Sequence, residues 1–490
     1  MKRDLATEEQ RVSFSSAVER ETKLMVDKSF RLPQLRGRVL PRRVFTSTYY
    51  DTPDHCLARS HVTLRYRVEG RLGKWQLKLP LNGGRREVEV HEETGQVPKL
   101  LTDALLLLLE GKSLVPISTL RTWRTGVHVP LGGRADADVV LDSVSVLAGH
   151  RVIQQFCELE IEWLHGDPSR GEVLTERLKK AGAKPHDGRP KLFRALSLTY
   201  GPPRQPPSDA PLQSQLAHAL TMYVQLLKRF DPGTRLGGEP EDLHQMRVTV
   251  RRLRATLRSA RRELDQNWVD PLMAGLKWLG RLFGHGRDLD VQIEYFRNEA
   301  RGLKVQDRRP IEQFVSVLEE GRRTFQQLLR DEMQSAAYLG FLSKLELDAH
   351  EPTLVQQDLT LVDLAARQFK KLCKSMSRLP EHPSNAELHR VRILAKRARY
   401  AAELAEPYVG KRATRFTKSA KALQDVLGIH QDAVLAERYA RDLDERIPGE
   451  RAALVAGLLV ARAEHRREDV RNRFRIVWKK VKKRGRKAWG

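Results

Sequence analysis

Glu19-Arg20-Glu21-Thr22-Lys23 is the stretch on which the reading of this chain turns. In an extended strand alternate side chains share a face, so Glu19, Glu21 and Lys23 lie on one side. Two carboxylates so placed suit a hard divalent cation, and the lysine adds a positive charge for a phosphate. A solvated strand of alternating charge would read the same way, so the meaning of the stretch depends on its surroundings.

Residues 17 to 165 repeat the pattern. Short alternating segments place Arg65 with Arg67, Gln76 with Lys78, Arg85 with Glu87, Asp138 with Asp142, and Glu158 with Glu160 and Glu162 on single faces. The opposite faces are apolar: Leu64/Tyr66/Val68, Trp75/Leu77/Leu79 and Leu159/Ile161/Trp163. Two architectures satisfy this. A half-solvated antiparallel sheet turns its charges to water; a closed barrel wrapped by helices turns them to its lumen. Helical segments at 102–109 and 171–181 would cover the outside.

The order of these pieces resembles the CYTH family, the triphosphate tunnel metalloenzymes. The ExExK of Glu19–Lys23 is followed by Tyr49-Tyr50-Asp51-Thr52-Pro53-Asp54, Leu57-Ala58-Arg59, Leu64-Arg65-Tyr66-Arg67 and Trp75-Gln76-Leu77-Lys78. Then come Arg85-Arg86-Glu87, Val140-Leu141-Asp142, Glu158-Leu159-Glu160-Ile161-Glu162, and Lys191 with Arg194. The resemblance implies an eight-stranded antiparallel tunnel that hydrolyses a triphosphate. In it Arg65, Arg67, Lys78, Arg85, Arg124, Lys191 and Arg194 would bind phosphate oxygens, and Glu19, Glu21, Asp142, Glu158 and Glu160 would hold Mg²⁺ or Mn²⁺. Glu19, Glu21 and Lys23 form the catalytic set. The lumen-facing choice between Arg121 and Arg124, and among the three glutamates of Glu158–Glu162, stays open by one strand step.

After the proline-rich stretch 201–210 the pattern becomes helical and repeats itself. Leu243-His244-Gln245-Met246-Arg247 with Arg251 and Arg254 answers Leu388-His389-Arg390-Val391-Arg392 with Lys396 and Arg399, 145 residues later. Positions i, i+3, i+7 and i+10 fall on one helical face. His244, Arg247, Arg251 and Arg254 therefore form one cationic stripe, and His389, Arg392, Lys396 and Arg399 another. Repelling charges this close call for an anion. The layout resembles the CHAD family, conserved-histidine α-helical domains, across roughly residues 208–480. That resemblance implies two pseudo-symmetric helical bundles whose basic faces bind long-chain polyphosphate. Nucleic acid is the competing polyanion, disfavoured because aromatics are 6% of the chain and only Tyr400 touches a stripe.

Composition agrees. The chain of 490 residues carries a formal net charge of +26, of which +8 falls in residues 1–200 and +18 in 201–490. Three scattered cysteines, Cys56, Cys157 and Cys373, give no zinc spacing or disulfide framework. No apolar run reaches a membrane span, and 1–16 lacks a signal-peptide core.

The expectation is thus an α+β protein: leader 1–16, tunnel domain 17–200, linker 201–210, helical domain 211–478 and a flexible basic tail 479–490. It would be cytoplasmic, associated with polyphosphate deposits, and would cleave inorganic tripolyphosphate. Thiamine triphosphatase and class IV adenylate cyclase share the tunnel, and a non-catalytic polyphosphate or nucleic-acid binder is the alternative from another class.

Overall fold

The computed structural model describes residues 14–81, 84–91, 95–132, 135–165, 171–199, 204–237, 239–355 and 359–490. It divides into two compact units, Met1–Gly201 with Asp231–Leu236, and Pro202–Phe230 with Gly237–Gly490. Most of the leader and the start of the proline-rich stretch lie outside the described residues.

In the first unit the chain runs β1 (Phe14–Glu19), β2 (Glu21–Val26), β3 (Arg38–Asp51), α1 (Cys56–Arg59), β4 (Thr63–Glu69), β5 (Leu72–Leu81) and β6 (Gly84–Val90). It continues through α2 (Lys99–Leu109), β7 (Val115–Gly132), β8 (Ala135–Ala148), β9 (Arg151–His165), α3 (Glu172–Lys180), β10 (Lys184–Pro185) and α4 (Lys191–Ala195). The strands form one antiparallel sheet in the order β1-β6-β5-β4-β3-β7-β8-β9-β2-β10. β1 pairs with β6 and β2 with β9, yet only Arg20 separates β1 from β2. The opening stretch therefore ties both ends of the sheet together and closes it into a tunnel. The structure has ten segments where eight strands were expected, because Arg20 interrupts the first strand and Lys184–Pro185 adds a short one.

The alternating pattern sorts inside from outside. Leu64, Trp75, Leu77, Leu79, Val88 and Val90 face outward and bury against Leu101, Ala104, Leu105 and Leu108 of α2. Leu24, Val139, Leu159 and Ile161 do the same beneath Leu174 and Leu178 of α3. With both apolar faces covered from outside, the charged faces turn to the lumen. Leu192 and Phe193 of α4 pack with Tyr49, Leu120, Val144 and Phe156, closing one end.

The second unit is helical: α5 (Leu212–Leu236, its last turn counted with the first unit), α6 (Pro240–Ser259), α7 (Gln266–Arg301), α8 (Val305–Gln334), α9 (Ala336–His350), α10 (Leu361–Ser377), α11 (Asn385–Val409), α12 (Lys411–Arg446) and α13 (Glu450–Trp489). α11, α12 and α13 begin 145 residues after α6, α7 and α8, the offset read in the sequence. The second half has a core of its own, with Phe369, Leu388, Phe416 and Phe474, and a further core joins the two halves. α7 and α12, 36 residues each and about 54 Å long, reach past their own half. Phe296 and Phe314 of the first half consequently share a core with Tyr439, Leu443, Val455 and Leu459 of the second.

The basic tail also departs from expectation. It is the last part of α13, because Val481, Gly485 and Trp489 recur every four residues and pack inward: Val481 is buried, Gly485 lies against Phe369, and the Trp489 ring meets Phe416. Lysine and arginine are good helix formers, so the charge run follows where this apolar stripe leads.

Candidate functional sites: a charged tunnel and a cationic helical face

The tunnel encloses a cavity of about 230 Å³. Among the described residues nine cationic side chains line it, Lys23, Arg43, Arg65, Arg67, Lys74, Lys78, Arg85, Arg124 and Lys191, against six glutamates, Glu19, Glu21, Glu87, Glu89, Glu160 and Glu162. The lumen is therefore net positive, although it is rich in acids.

One wall is built by β7, β8, β9, β2 and the first residue of α4. Register sets Arg124 opposite Asp142, and Asp142 opposite Glu158. Arg124 grips Asp142 through two bonds of 2.8 Å and also donates to Glu160 at 2.9 Å and Glu162 at 2.6 Å. Lys191 Nζ lies 2.7 Å from Asp142, 2.9 Å from Glu160 and 3.3 Å from Glu158. Lys23 Nζ lies 2.7 Å from Glu160, 3.4 Å from Glu21 and 3.6 Å from Glu158. Burial pushes the Glu160 carboxyl up, but Lys191, Lys23 and Arg124 outweigh it and hold the group well below the usual carboxylate range. Burial likewise opposes the charge on Lys191, and Asp142, Glu160 and Glu158 raise it well above an ordinary lysine. The cluster is an ionised network.

Across the lumen Lys78 lies 2.5 Å from Glu19 and 3.2 Å from Glu87, while Arg65 donates to Gln76 at 2.8 Å and to the Tyr49 hydroxyl at 3.2 Å. Arg67 sits 3.6 Å above the Phe45 ring, and its guanidinium is lowered to about 10 by burial and by its neighbours Arg65 and Arg124. Arg85 lines the cavity without an ion pair to any described residue.

The structure thus brings together Glu19, Glu21, Lys23, Arg65, Arg67, Lys78, Arg85, Arg124, Glu160 and Lys191 around one cavity. Asp142 and Glu158 stand behind that lining, fully buried. Arg194 is elsewhere: it donates to the Cys157 carbonyl at 3.2 Å and covers the Phe156 ring at 4.4 Å, with Glu158 at 3.7 Å. Arg124, not the exposed Arg121, faces the lumen. Glu158, Glu160 and Glu162 all face inward, because Leu159 and Ile161 take the outer core.

Five residues escaped the sequence reading: Lys74, Glu89, Arg43, Glu69 and His186. Lys74 continues the Gln76/Lys78 face by one step and pairs with Glu89 at 2.6 Å, so alternation could have found it. Glu69 likewise lies one step beyond Arg65/Arg67 on β4, and its partner Arg43 alternates with Phe45, Ser47 and Tyr49 on the face of β3 that lines the cavity. His186, nearly fully buried, accepts from the Gly188 N–H at Nδ1, 2.8 Å, and puts Nε2 2.9 Å from Glu158 Oε1, off the hydrogen-bonding direction. It lies in the loop after β10, where no periodicity aims a side chain.

The acids offer hard oxygen donors. Among the described residues no three acids or histidines converge closely enough to hold a metal by themselves. Yet both Glu158 oxygens are buried without a hydrogen bond, and the Lys23 ammonium stands among Glu21, Glu158 and Glu160. The donor set fits a divalent cation competing with an internal ammonium.

The helical face has the opposite character. Arg247 and Arg251 of α6 and Arg392, Lys396 and Arg399 of α11 act on one another: burial lowers the Arg251 guanidinium, and Arg247, Arg392 and Arg399 lower it further. Arg251, Arg254, Arg392 and Lys396 make no ion pair with a described residue, and buried Nε atoms of the three arginines lack hydrogen-bond partners. Arg247 has Asp288 at 2.8 Å and Arg399 has Glu403 at 2.7 Å. Tyr400 is buried with Arg399 over its ring at 4.6 Å, so it presents no open stacking face. The two histidines are not equivalent. His244 is half-buried with Nδ1 unpartnered, whereas His389 is exposed and lies 2.7 Å from Gln431 Oε1.

A closed tunnel followed by a helical repeat with converging cations matches two family models in that order: the CYTH domain at residues 17–188 and the CHAD domain at 217–441. The chain is a CYTH domain followed by a CHAD domain. Two uncharacterized proteins from strains of Mycobacterium tuberculosis are each 27% identical over 491 residues, spanning 91% of this chain and 92% of theirs. Among solved structures, PptA from Streptomyces chartreusis is 22% identical with a TM-score of 0.46, over 55% of this chain and 100% of its own. The CHAD domain from the plant Ricinus communis is 24% identical with a TM-score of 0.47, over 56% and 93%. A Hippeastrum protein, described as an adenylyl cyclase candidate with a dominant triphosphatase activity, is 21% identical with a TM-score of 0.24, over 36% and 95%. No helix among the described residues is long and apolar enough to cross a membrane.

Proposed function

We propose that the CYTH domain hydrolyses inorganic tripolyphosphate with Mg²⁺ or Mn²⁺ and that the CHAD domain binds longer phosphate chains. The CYTH domain is a triphosphate tunnel enzyme fold. The observation that carries the choice of substrate is the lining itself: nine cations surround a small cavity whose aromatic walls are taken, Phe45 by Arg67 and Tyr49 by Arg65. A bare phosphate chain uses every one of those donors, while a nucleobase or thiazole ring finds no apolar slot.

In this reading Arg65, Arg67 and Lys78 take the phosphate oxygens from one wall, Arg124 and Lys191 from the other, and Arg85, unpaired beforehand, supplies a further donor. Glu19, Glu21 and Glu160, backed by Asp142 and Glu158, would hold the metal, which would supply positive charge for the phosphoryl oxygens and acidify a water. The residues' own share is positioning. Lys23 and Lys191 keep the carboxylates ionised and in place, and the closed end at α4 excludes bulk solvent. Lys23 has no other role here.

The test is phosphate release from tripolyphosphate, thiamine triphosphate and ATP with Mg²⁺, Mn²⁺ or chelator, with cyclic AMP measured alongside. Chelator-sensitive release fastest on tripolyphosphate supports the proposal. Preference for thiamine triphosphate, or cyclic AMP formation, redirects it within the tunnel family, and no turnover reduces the chain to a binding protein.

A further inference from the structure

We propose that binding of a phosphate chain to the helical unit is coupled to the uptake of one proton by Lys396. The proposal rests on the reading that this unit binds phosphate chains, and it concerns a property of the face that neither domain family implies.

Lys396 occupies the position of the second repeat that corresponds to Arg251 of the first, 145 residues earlier. One stripe is thus arginine at this place and the other lysine. Arg392 and Arg399 flank Lys396 one turn away on α11, and Arg247 and Arg251 reach it from α6. On α12 the acid that faces it is Asp432, whose carboxyl burial pushes up while Arg392 and Lys396 pull it back. Lys396 has no ion pair with any described residue. Repulsion in such a cluster is relieved when one member gives up its proton, and an arginine in a protein does not. Lys396 bears the adjustment among the cations of α11, and His244 of α6, lowered by burial and by Arg287, Arg251 and Arg247, shares it. Burial first, and then Arg392, Arg251, Arg247 and Arg399, lower the Lys396 ammonium to about 7.

The linkage has a definite sign. In the free protein the amine is charged below about pH 7 and neutral above it. A polyanion laid across the stripes favours the charged form, so the bound state keeps its proton to higher pH. The contribution of Lys396 to affinity is then level below pH 7 and falls about tenfold per pH unit above it, until the amine of the complex also titrates. An arginine at the same position removes that dependence and keeps the charge.

The experiment is titration calorimetry of the full chain with long-chain inorganic polyphosphate, whose internal phosphates are strong acids. It is run at pH 8 in two buffers of different ionisation enthalpy, for the wild type and Lys396→Arg. The expected result is uptake of about 0.9 proton per site by the wild type and close to none by the variant, with affinity of the variant level between pH 8 and 9, above the range in which the stripe histidines take up charge. Binding without proton uptake, or equal uptake by both proteins, overturns the coupling alone. No binding by either protein overturns the reading beneath it as well. A second measurement does not depend on the variant folding: trace acetylation of the wild type between pH 6 and 10, read at Lys396 by mass spectrometry. Half-reaction near pH 7, moving up by a unit or more with polyphosphate present, supports the coupling. An ordinary lysine profile in the free protein contradicts it.

Discussion

In the tunnel, Asp142, Glu158 and Glu160 each have cations against them; on the helical face Arg251, Arg392 and Lys396 have chiefly one another and their arginine neighbours. Both regions are built from arginine and lysine, and both are read as phosphate sites, yet one is electrically satisfied before its ligand arrives and the other is not. Paired charges hold a geometry and can lend it to a reaction. Unpaired charges store repulsion that a polyanion relieves, which serves affinity rather than catalysis. Removing a cation should therefore have opposite consequences for stability in the two regions.

The largest effect is expected in the tunnel. Lys191→Met leaves Asp142, Glu158 and Glu160 short of their shared partner, and breaking a buried pair from one side costs about 3–5 kcal/mol. Melting of the N-terminal unit should fall accordingly, and tripolyphosphate hydrolysis should drop about 10²–10³-fold. Arg251→Met on the helical face should do the reverse for stability, leaving it unchanged or slightly raised, since it removes a repelling charge. Loss of stability like that of Lys191→Met would erase the distinction.

A smaller effect is the acid response of the tunnel. The carboxyls of Asp142, Glu158 and Glu160 are all depressed by their cations against the opposing effect of burial. Their contribution is fully present above the ordinary carboxylate range, near pH 4.5, and is lost as pH falls through their depressed values. Unfolding of this unit, followed by the fluorescence of Trp75, Trp123 and Trp163 in a chain whose other four tryptophans are replaced by phenylalanine, should be level from pH 8 to 5 and weaken below. Smallest of all is a change in slope: Arg251→Ala with Arg392→Ala should flatten the salt dependence of polyphosphate binding by roughly two phosphate contacts' worth. An unchanged slope would mean that the stripes do not touch the chain.

How far the sequence could be read follows the same physics. Where a strand alternates strictly, as in Leu64–Val68, Trp75–Leu79 and Glu158–Glu162, period two assigns each side chain to a face, while the closure that makes the charged face a lumen is implied by the family resemblance alone. The helical repeat was legible because its 145-residue offset recurs in three helices. Lys74, Glu69 and Arg43 keep the period of their strands and escape only because the faces are not followed to their ends. His186 has no period, since it lies in a loop that only tertiary packing aims. Arg194 was misplaced because a five-residue helix offers too little pattern to say which side enters the lumen. The basic tail was misread because its charges mask a four-residue stripe of Val481, Gly485 and Trp489.

The central claim, that one region reacts and the other only binds, is tested most directly by measuring two quantities on Glu160→Gln beside the wild type: phosphate release from tripolyphosphate with and without chelator, and affinity for long-chain polyphosphate. The account predicts chelator-sensitive release by the wild type, a loss of about 10²-fold or more in the variant, and unchanged polyphosphate affinity in both. Release that survives the substitution and the chelator, or binding lost together with hydrolysis, would contradict it.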